Sequence, residues 1–300
     1  MYQVKKTARN EFVPIRNLRY HVLVWGEPAP DKTPLVLLHG WMDVAASYQF
    51  VVDALSQPHY VIAPDWRGYG QTNTAGADSF WFPDYLADLD FLLDHYAPGA
   101  QVNLVGHSMG GNVAMMYAGV RPERIRRLVN LEGFGMPATT PDEAPGRFTR
   151  WMDELKQLHQ GEMDLKAYDA VSGVARRLMR TNPRLGADKA NWLATHWAQE
   201  NAEGKWQILG DPAHKITNAQ LYRLDELLEI YRRISMPLLS VEAAGDSLSL
   251  WWKGQFTLAQ YHERLKNVPQ VEIVRIEDAG HMLHHDQPEI LAGLIERFIA

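Results

Sequence analysis

The sequence predicts an α/β fold: a mostly parallel sheet with helices on both faces, interrupted once by an inserted helical segment. Three observations carry this. Short apolar runs alternate with stretches of helical periodicity from residue 35 to residue 131. The alternation stops after Gly133, and residues 135–235 read as helices with no convincing strand. It resumes at Pro237 and continues to the C-terminus. The 300 residues then divide into a first core segment (1–134), a helical cap (135–235) and a second core segment (236–300).

In chain order, residues 12–16 and 18–25 read as two short strands joined at Asn17. Residues 35–38 are continuously apolar, as a strand buried on both faces should be. That strand ends in His39-Gly40-Trp41, and Tyr48, Val51, Val52 and Leu55 follow at helical spacing. Residues 60–63 form the next strand, ending in Pro64-Asp65-Trp66-Arg67-Gly68-Tyr69-Gly70. A helix over 83–96 gathers Tyr85, Leu89, Leu92 and Leu93 on one face and turns Asp84, Asp88 and Asp94 away from it. Strands at 102–105 and 128–131 follow, the second closing at Glu132-Gly133.

The insertion divides into helices over 147–159, 165–180, 188–200 and 218–234, punctuated by Pro183, Gly186, Gly204, Gly210 and Pro212. After it, residues 237–243 and 271–276 are strands, 255–267 a helix, and Pro288 opens a C-terminal helix at a position where its missing N–H costs nothing. In a sheet of this kind ligands bind beyond the carboxyl ends of the strands. His39-Gly40, Asp65, Ser108 and Glu132 all sit at such ends.

Composition narrows the function. Hydrophobic residues make up 46% and charged residues 22%, so a full core is available. The net charge is −6 and no basic run occurs, which argues against nucleic acid. There are no cysteines, which excludes disulfides, a thiol nucleophile and thiolate-bound zinc. Residues 1–10 are polar with no apolar run behind them, and no stretch reaches the ~20 apolar residues of a membrane span. A cytoplasmic enzyme acting on a small molecule is expected, as a monomer or a homodimer, with no cofactor and no metal.

The stretch with chemistry is Gly106-His107-Ser108-Met109-Gly110, set between a strand and a helix. A serine on a tight strand-to-helix turn has its hydroxyl exposed, and small residues let the surrounding backbone come close. A serine hydroxyl needs a base, and the base needs an orienting acid. His281, in the loop after the last strand, is the best placed of the twelve histidines; His284 and His285 are its neighbours. Two acids compete. Asp246 follows the strand after the insertion, the commoner arrangement, and is preferred; Glu132 ends the strand after the nucleophile helix and is the alternative. The backbone N–H groups of Trp41 and Met109 are the expected oxyanion donors. His39 reads as a structural hydrogen-bonding residue, and His107 as packing under the turn.

Together these residues resemble the α/β-hydrolase superfamily. The likeness rests on His39-Gly40-Trp41, residues 65–70, Gly106-His107-Ser108-Met109-Gly110-Gly111, Arg121-Pro122-Glu123-Arg124, Gly245-Asp246, Gly280-His281 and Gln287-Pro288-Glu289. The resemblance implies an eight-stranded sheet with residues 135–235 as a cap over the site. The stretch Ala175-Arg176-Arg177-Leu178 through Asn182-Pro183-Arg184-Leu185 is most similar to the serine hydrolase-like branch. It implies a carboxylesterase-like serine hydrolase acting through an acyl-enzyme on a small, partly apolar ester. Serine at position 108 argues against the alkyl-enzyme chemistry of the dehalogenase and epoxide hydrolase branches, which use aspartate there. A cofactor-independent dioxygenase of the same fold, with its acid where Glu132 lies, is the alternative. A C–C bond hydrolase and a non-enzymatic ligand receptor come behind it.

Overall fold

The apolar runs form the strands and the amphipathic stretches cover them. A computed structural model describes residues 2–30 and 32–300. The first half runs β1 (Arg9–Ile15), β2 (Leu18–Trp25), β3 (Leu35–Leu38), α1 (Gln49–Ala54), β4 (Val61–Pro64), α2 (Pro83–Tyr96), β5 (Val102–His107), α3 (Met109–Val120) and β6 (Ile125–Leu131). The middle runs α4 (Ala144–His159), β7 (Ala167–Tyr168), α5 (Val171–Thr181), α6 (Ala187–Trp197), β8 (Ala198–Glu200), β9 (Trp206–Ile208) and α7 (Leu224–Arg232). The last part runs β10 (Leu238–Ala243), α8 (Ser247–Trp252), α9 (Leu258–Leu265), β11 (Val271–Ile276), α10 (Leu283–Asp286) and α11 (Pro288–Ile299).

Eight strands make one sheet in the order β1-β2-β4-β3-β5-β6-β10-β11. β2 is antiparallel to β1 and β4, and the remaining neighbours are parallel. Why β3 has no polar residue is visible in its packing. Leu35 and Leu37 face the layer holding Val51, Val52, Leu291 and Ile295. Val36 and Leu38 face the opposite layer, with Leu89, Leu93, Val113 and Tyr117. Side chains alternate between faces along a strand, so a strand covered twice must be apolar throughout.

One expectation fails in an informative way. Asp88 does not face away from the core: it is fully buried. Arg67 grips it through two bonds, Nε to Oδ2 at 2.7 Å and Nη2 to Oδ1 at 2.8 Å, and the Tyr20 hydroxyl donates to Oδ2 at 2.6 Å. This pins the loop after β4 to α2. Asp65 does the same work on the other side of the loop, accepting from the backbone N–H of Ala45 and pairing with His21.

Between β6 and β10 lie four helices, α4 to α7, but also a three-stranded antiparallel sheet, β7-β9-β8, whose β7 and β8 fall inside the stretches 165–180 and 188–200 expected to be helical. The expectation of no strand there is therefore corrected. Strands of two or three residues are shorter than any window in which period-two alternation can register. This segment is tied to the loop after β4. The backbone N–H of Asp211 donates to Gly68, that of Gly70 donates to Leu209, and the His214 ring stacks on Tyr69 at 3.8 Å.

Candidate active site

The carboxyl ends of β3, β5, β6, β10 and β11 converge, and the chemistry-bearing residues follow directly from them. β5 delivers Ser108 on a sharp turn into α3, with φ 52° and ψ −116°, a region that non-glycine residues avoid. Two bonds hold it there: Ser108 N–H donates to Leu131 at 2.8 Å, and Asn112 N–H donates to the Ser108 carbonyl at 3.0 Å. The flanking glycines are required by contact. A Cβ on Gly106 would lie 2.3 Å from the Gly110 carbonyl oxygen, and one on Gly110 would lie 2.3 Å from that of Leu38.

β6 delivers Glu132, also at positive φ (56°) and almost fully buried. Its Oε1 accepts from Ala243 N–H at 2.7 Å. Its Oε2 accepts from the Ser247 hydroxyl at 2.6 Å and from His281 Nδ1 at 3.1 Å. Both oxygens are thus engaged, and the carboxylate fixes the His281 tautomer: Nδ1 carries the proton and Nε2 is free to accept one. Burial lowers the His281 pKa below its ordinary 6.5, while Glu132 opposes that shift. The ring is held from two further sides. Trp251 stands edge-on to it at 4.0 Å, and His107 Nε2 donates to the His281 carbonyl at 2.7 Å.

Asp246, the preferred acid in the sequence, is not beside His281. It caps α8, accepting from Ser249 N–H at 3.0 Å and from the Ser249 hydroxyl at 2.5 Å. These bonds lower its pKa, and it sits largely in solvent. His281 pairs with Glu132 and not with Asp246 among the described residues. A residue at the N-cap of a new helix spends its carboxylate on that helix, whereas Glu132 points across β10 to the histidine loop.

Sequence reasoning missed Ser247 and Trp251. Both belong to α8, a helix of six residues that no periodicity signals. Only the position of Ser247 after the Gly245-Asp246 strand end hinted at it.

The region around Trp41 is set by His39. Its Nε2 accepts from Trp66 N–H at 2.9 Å, so Nδ1 carries the proton and donates to the Gly40 carbonyl at 2.8 Å. The carbonyl of Gly40 and the N–H of Trp41 share one peptide plane and point in opposite directions. Gly40 itself abuts the turn: a Cβ there would lie 3.1 Å from that of Ser108. The Trp41 indole is half-exposed and donates to the His214 carbonyl at 3.1 Å, joining β3's end to the inserted segment. Met109 begins α3, where the first N–H groups have no partner within the helix.

Beneath the turn, Asp43, His107 and His284 are all buried and place one ligand-type atom each within 4.8 Å of the others. The donors suit a borderline divalent ion, but a tetrahedral zinc with bonds of about 2.0–2.1 Å would need them roughly 3.4 Å apart. Asp43 Oδ1 is already taken by the Ser47 hydroxyl and by Trp197 Nε1, the latter at 3.0 Å. Its Oδ2 lies 3.6 Å from His284 Nε2. Asp43 Oδ2, His107 Nδ1 and both ring nitrogens of His284 are buried without a hydrogen-bond partner among the described residues.

Ser108 and His281 line one cavity of about 630 Å³. No hydrogen bond joins Ser108 Oγ to His281 among the described residues; such contacts commonly tighten only when substrate binds. Trp41, Gly245, Ser247 and Trp251 complete the sheet side of the cavity. Arg177, Leu178, Asn182, Arg184, Leu185 and Trp197 form the opposite wall.

A family model described as the alpha/beta hydrolase fold matches residues 33–288. The chain belongs to the α/β-hydrolase family. A serine hydrolase-like protein from Danio rerio is 26% identical over 98% of this chain and 89% of its own length. An sn-1-specific diacylglycerol lipase from the same organism is 26% identical over 91% of this chain and 79% of its own. Among solved structures, a thioesterase domain from the curacin biosynthetic pathway superposes with a TM-score of 0.82 at 23% identity, covering 97% of this chain and 99% of that one. An esterase from Mycobacterium tuberculosis gives 0.69 at 20% identity, covering 97% and 90%. At these identities the structural matches speak to the fold. With the serine hydrolase-like and lipase relatives, the α/β-hydrolase assignment supports a hydrolase. No helix among the described residues is long and apolar enough to cross a membrane.

Proposed function

We propose that the protein is a carboxylesterase-like serine hydrolase in which Ser108, His281 and Glu132 form the catalytic triad. The observation that carries this reading is the bond from His281 Nδ1 to the buried Glu132 carboxylate, in a loop that shares its cavity with Ser108. It leaves Nε2 unprotonated and able to take the serine proton.

In this reading Ser108 Oγ attacks the ester carbonyl as His281 Nε2 accepts its proton. Glu132 stabilises the imidazolium that forms, without taking the proton itself. The developing oxyanion rests on the Trp41 and Met109 N–H groups; His39 supports the first by holding the Gly40 carbonyl away from the site. His281 then protonates the leaving alkoxide, and later deprotonates the water that releases the acyl group. Residues 135–235 act as the cap. With Leu178, Leu185 and Trp197 on the wall they contribute, a small, partly apolar ester is the substrate class that suits the cavity.

A panel of p-nitrophenyl esters of increasing acyl length tests this. The wild type hydrolyses the short and medium members, and Ser108→Ala lowers kcat by roughly 10⁴-fold or more. Turnover that survives Ser108→Ala overturns the reading. One observation favours a second reading: an acid placed after β6 is also where the cofactor-independent dioxygenase resemblance would have it. Ester turnover without oxygen uptake selects the hydrolase, and oxygen uptake on a heteroaromatic substrate without ester turnover selects the oxygenase.

A further inference from the structure

The cavity wall opposite Ser108 carries positive charge that the protein leaves unanswered. The chain has a formal net charge of −6, and several arginines elsewhere are tied to carboxylates: Arg67 to Asp88, Arg16 to Asp84 and Asp88, Arg124 to Asp94. Arg177, on α5, and Arg184, in the turn after it, both line the cavity. Neither forms an ion pair among the described residues. Arg177 Nε is buried without a hydrogen-bond partner, and Nη1 reaches the Tyr168 hydroxyl only at 3.4 Å. The Arg184 guanidinium lies against the histidine loop: a Cβ on Gly280, next to His281, would come within 3.1 Å of its Nη1.

The nearby carboxylates are otherwise engaged. Asp286 accepts from Asn182 Nδ2 at 2.7 Å and from Gly280 N–H at 2.9 Å. Asp43, the one acid lining the cavity, has Oδ1 held by Ser47 and Trp197, while its Oδ2 lies 3.6 Å from His284 Nε2 and pairs with neither arginine. Two planar donor forks therefore remain uncommitted at a cavity shared with the nucleophile, Arg177 half-buried and Arg184 on the exposed rim. A guanidinium matches the geometry of carboxylate and phosphate oxygens, and its pull strengthens where water is excluded. Leu178 and Leu185 line the same cavity and suit a short run of methylenes.

We propose that Arg177 and Arg184 form an anion-binding subsite, so that the substrate is an ester bearing a carboxylate or phosphate group on a short apolar spacer. This rests on the serine hydrolase reading and narrows its substrate class.

The test is a ratio of kcat/KM between isosteric esters: mono-p-nitrophenyl glutarate against p-nitrophenyl pentanoate, with a phosphonate-terminated analogue as the third arm. The wild type prefers the charged esters by about 10-fold or more, the scale of one charge-assisted bidentate contact. The preference shrinks as salt rises. Arg177→Gln and Arg184→Gln each reduce the ratio, and Arg184→Glu turns it toward a cationic ester. The carboxylate and phosphonate arms identify which anion the subsite fits. A wild-type ratio near one in both arms, or a ratio unchanged in Arg177→Gln and Arg184→Gln, overturns the proposal while leaving the esterase intact. If ester turnover is absent or survives Ser108→Ala, the catalytic reading has failed instead. Calorimetric titration of glutarate into the wild type then decides the subsite: binding weakened by about 10-fold in the glutamine variants supports it, and no binding or unweakened binding refutes it.

Discussion

Glu132 and Asp246 both follow a strand end, yet their surroundings assign them different work. Glu132 accepts three hydrogen bonds, one of them from His281; Asp246 spends both oxygens on Ser249. The sequence put both within reach of His281 and preferred Asp246, which the structure bonds to Ser249 instead, because that capture depends on a six-residue helix that has no readable period. Glu132→Gln should lower kcat by about 10³–10⁴-fold, since an amide no longer stabilises the imidazolium. Asp246→Asn, still a good helix cap, should stay within about 2-fold. The pH profile checks the same pair. Activity needs neutral His281, and burial lowers its pKa, so the acid limb of kcat/KM should lie below 6.5. Glu132 raises that pKa, so removing its charge in Glu132→Gln should move the limb further down. A limb above 6.5 would contradict the buried setting of the base.

The strand-to-helix turn was legible as an element, for a physical reason: its glycines are dictated by backbone crowding. A Cβ on Gly110 would meet the Leu38 carbonyl oxygen at 2.3 Å, an atom of β3 that cannot swing aside. Gly110→Ala should cost about 1–3 kcal/mol by urea denaturation, the range for overpacking, and should lower kcat as Ser108 shifts. Helices α2 and α11 were equally legible, since their apolar faces repeat over three turns or more. The inserted segment was less so. Its helices followed from periodicity, but β7, β8 and β9 run for two or three residues each, and their antiparallel pairing leaves no pattern to read. Nor could the sequence place Arg177 and Arg184 on one cavity, because that depends on how the inserted segment packs on the core.

Over the whole molecule, the site exists because the sheet brings the ends of β3, β5, β6, β10 and β11 to one edge, drawing on residues from Gly40 to His281. The order of apolar runs was enough to anticipate that edge. What it could not show was how the loops above the edge are braced, since those contacts join residues far apart in sequence. Asp88 is the clearest case: the helical pattern turned it outward, but Arg67 and Tyr20 draw it inside. Asp88→Ala strips the buried Arg67 guanidinium of its two-bond partner, leaving it only Asp84 at 3.2 Å, and leaves the Tyr20 hydroxyl unanswered. It should cost about 3–5 kcal/mol in a denaturant melt. A loss under about 1 kcal/mol would mean that the pair behaves as a surface salt bridge.

The central claim is that Ser108 is activated by His281 and Glu132. Its most direct test is the rate of labelling by a fluorophosphonate probe, with the modified peptide identified by mass spectrometry. The account predicts a single adduct on Ser108, formed quickly in the wild type and in Asp246→Asn, slowly in Glu132→Gln, and not at all in Ser108→Ala. An adduct on another residue, or labelling slowed in Asp246→Asn and unaffected in Glu132→Gln, would contradict it.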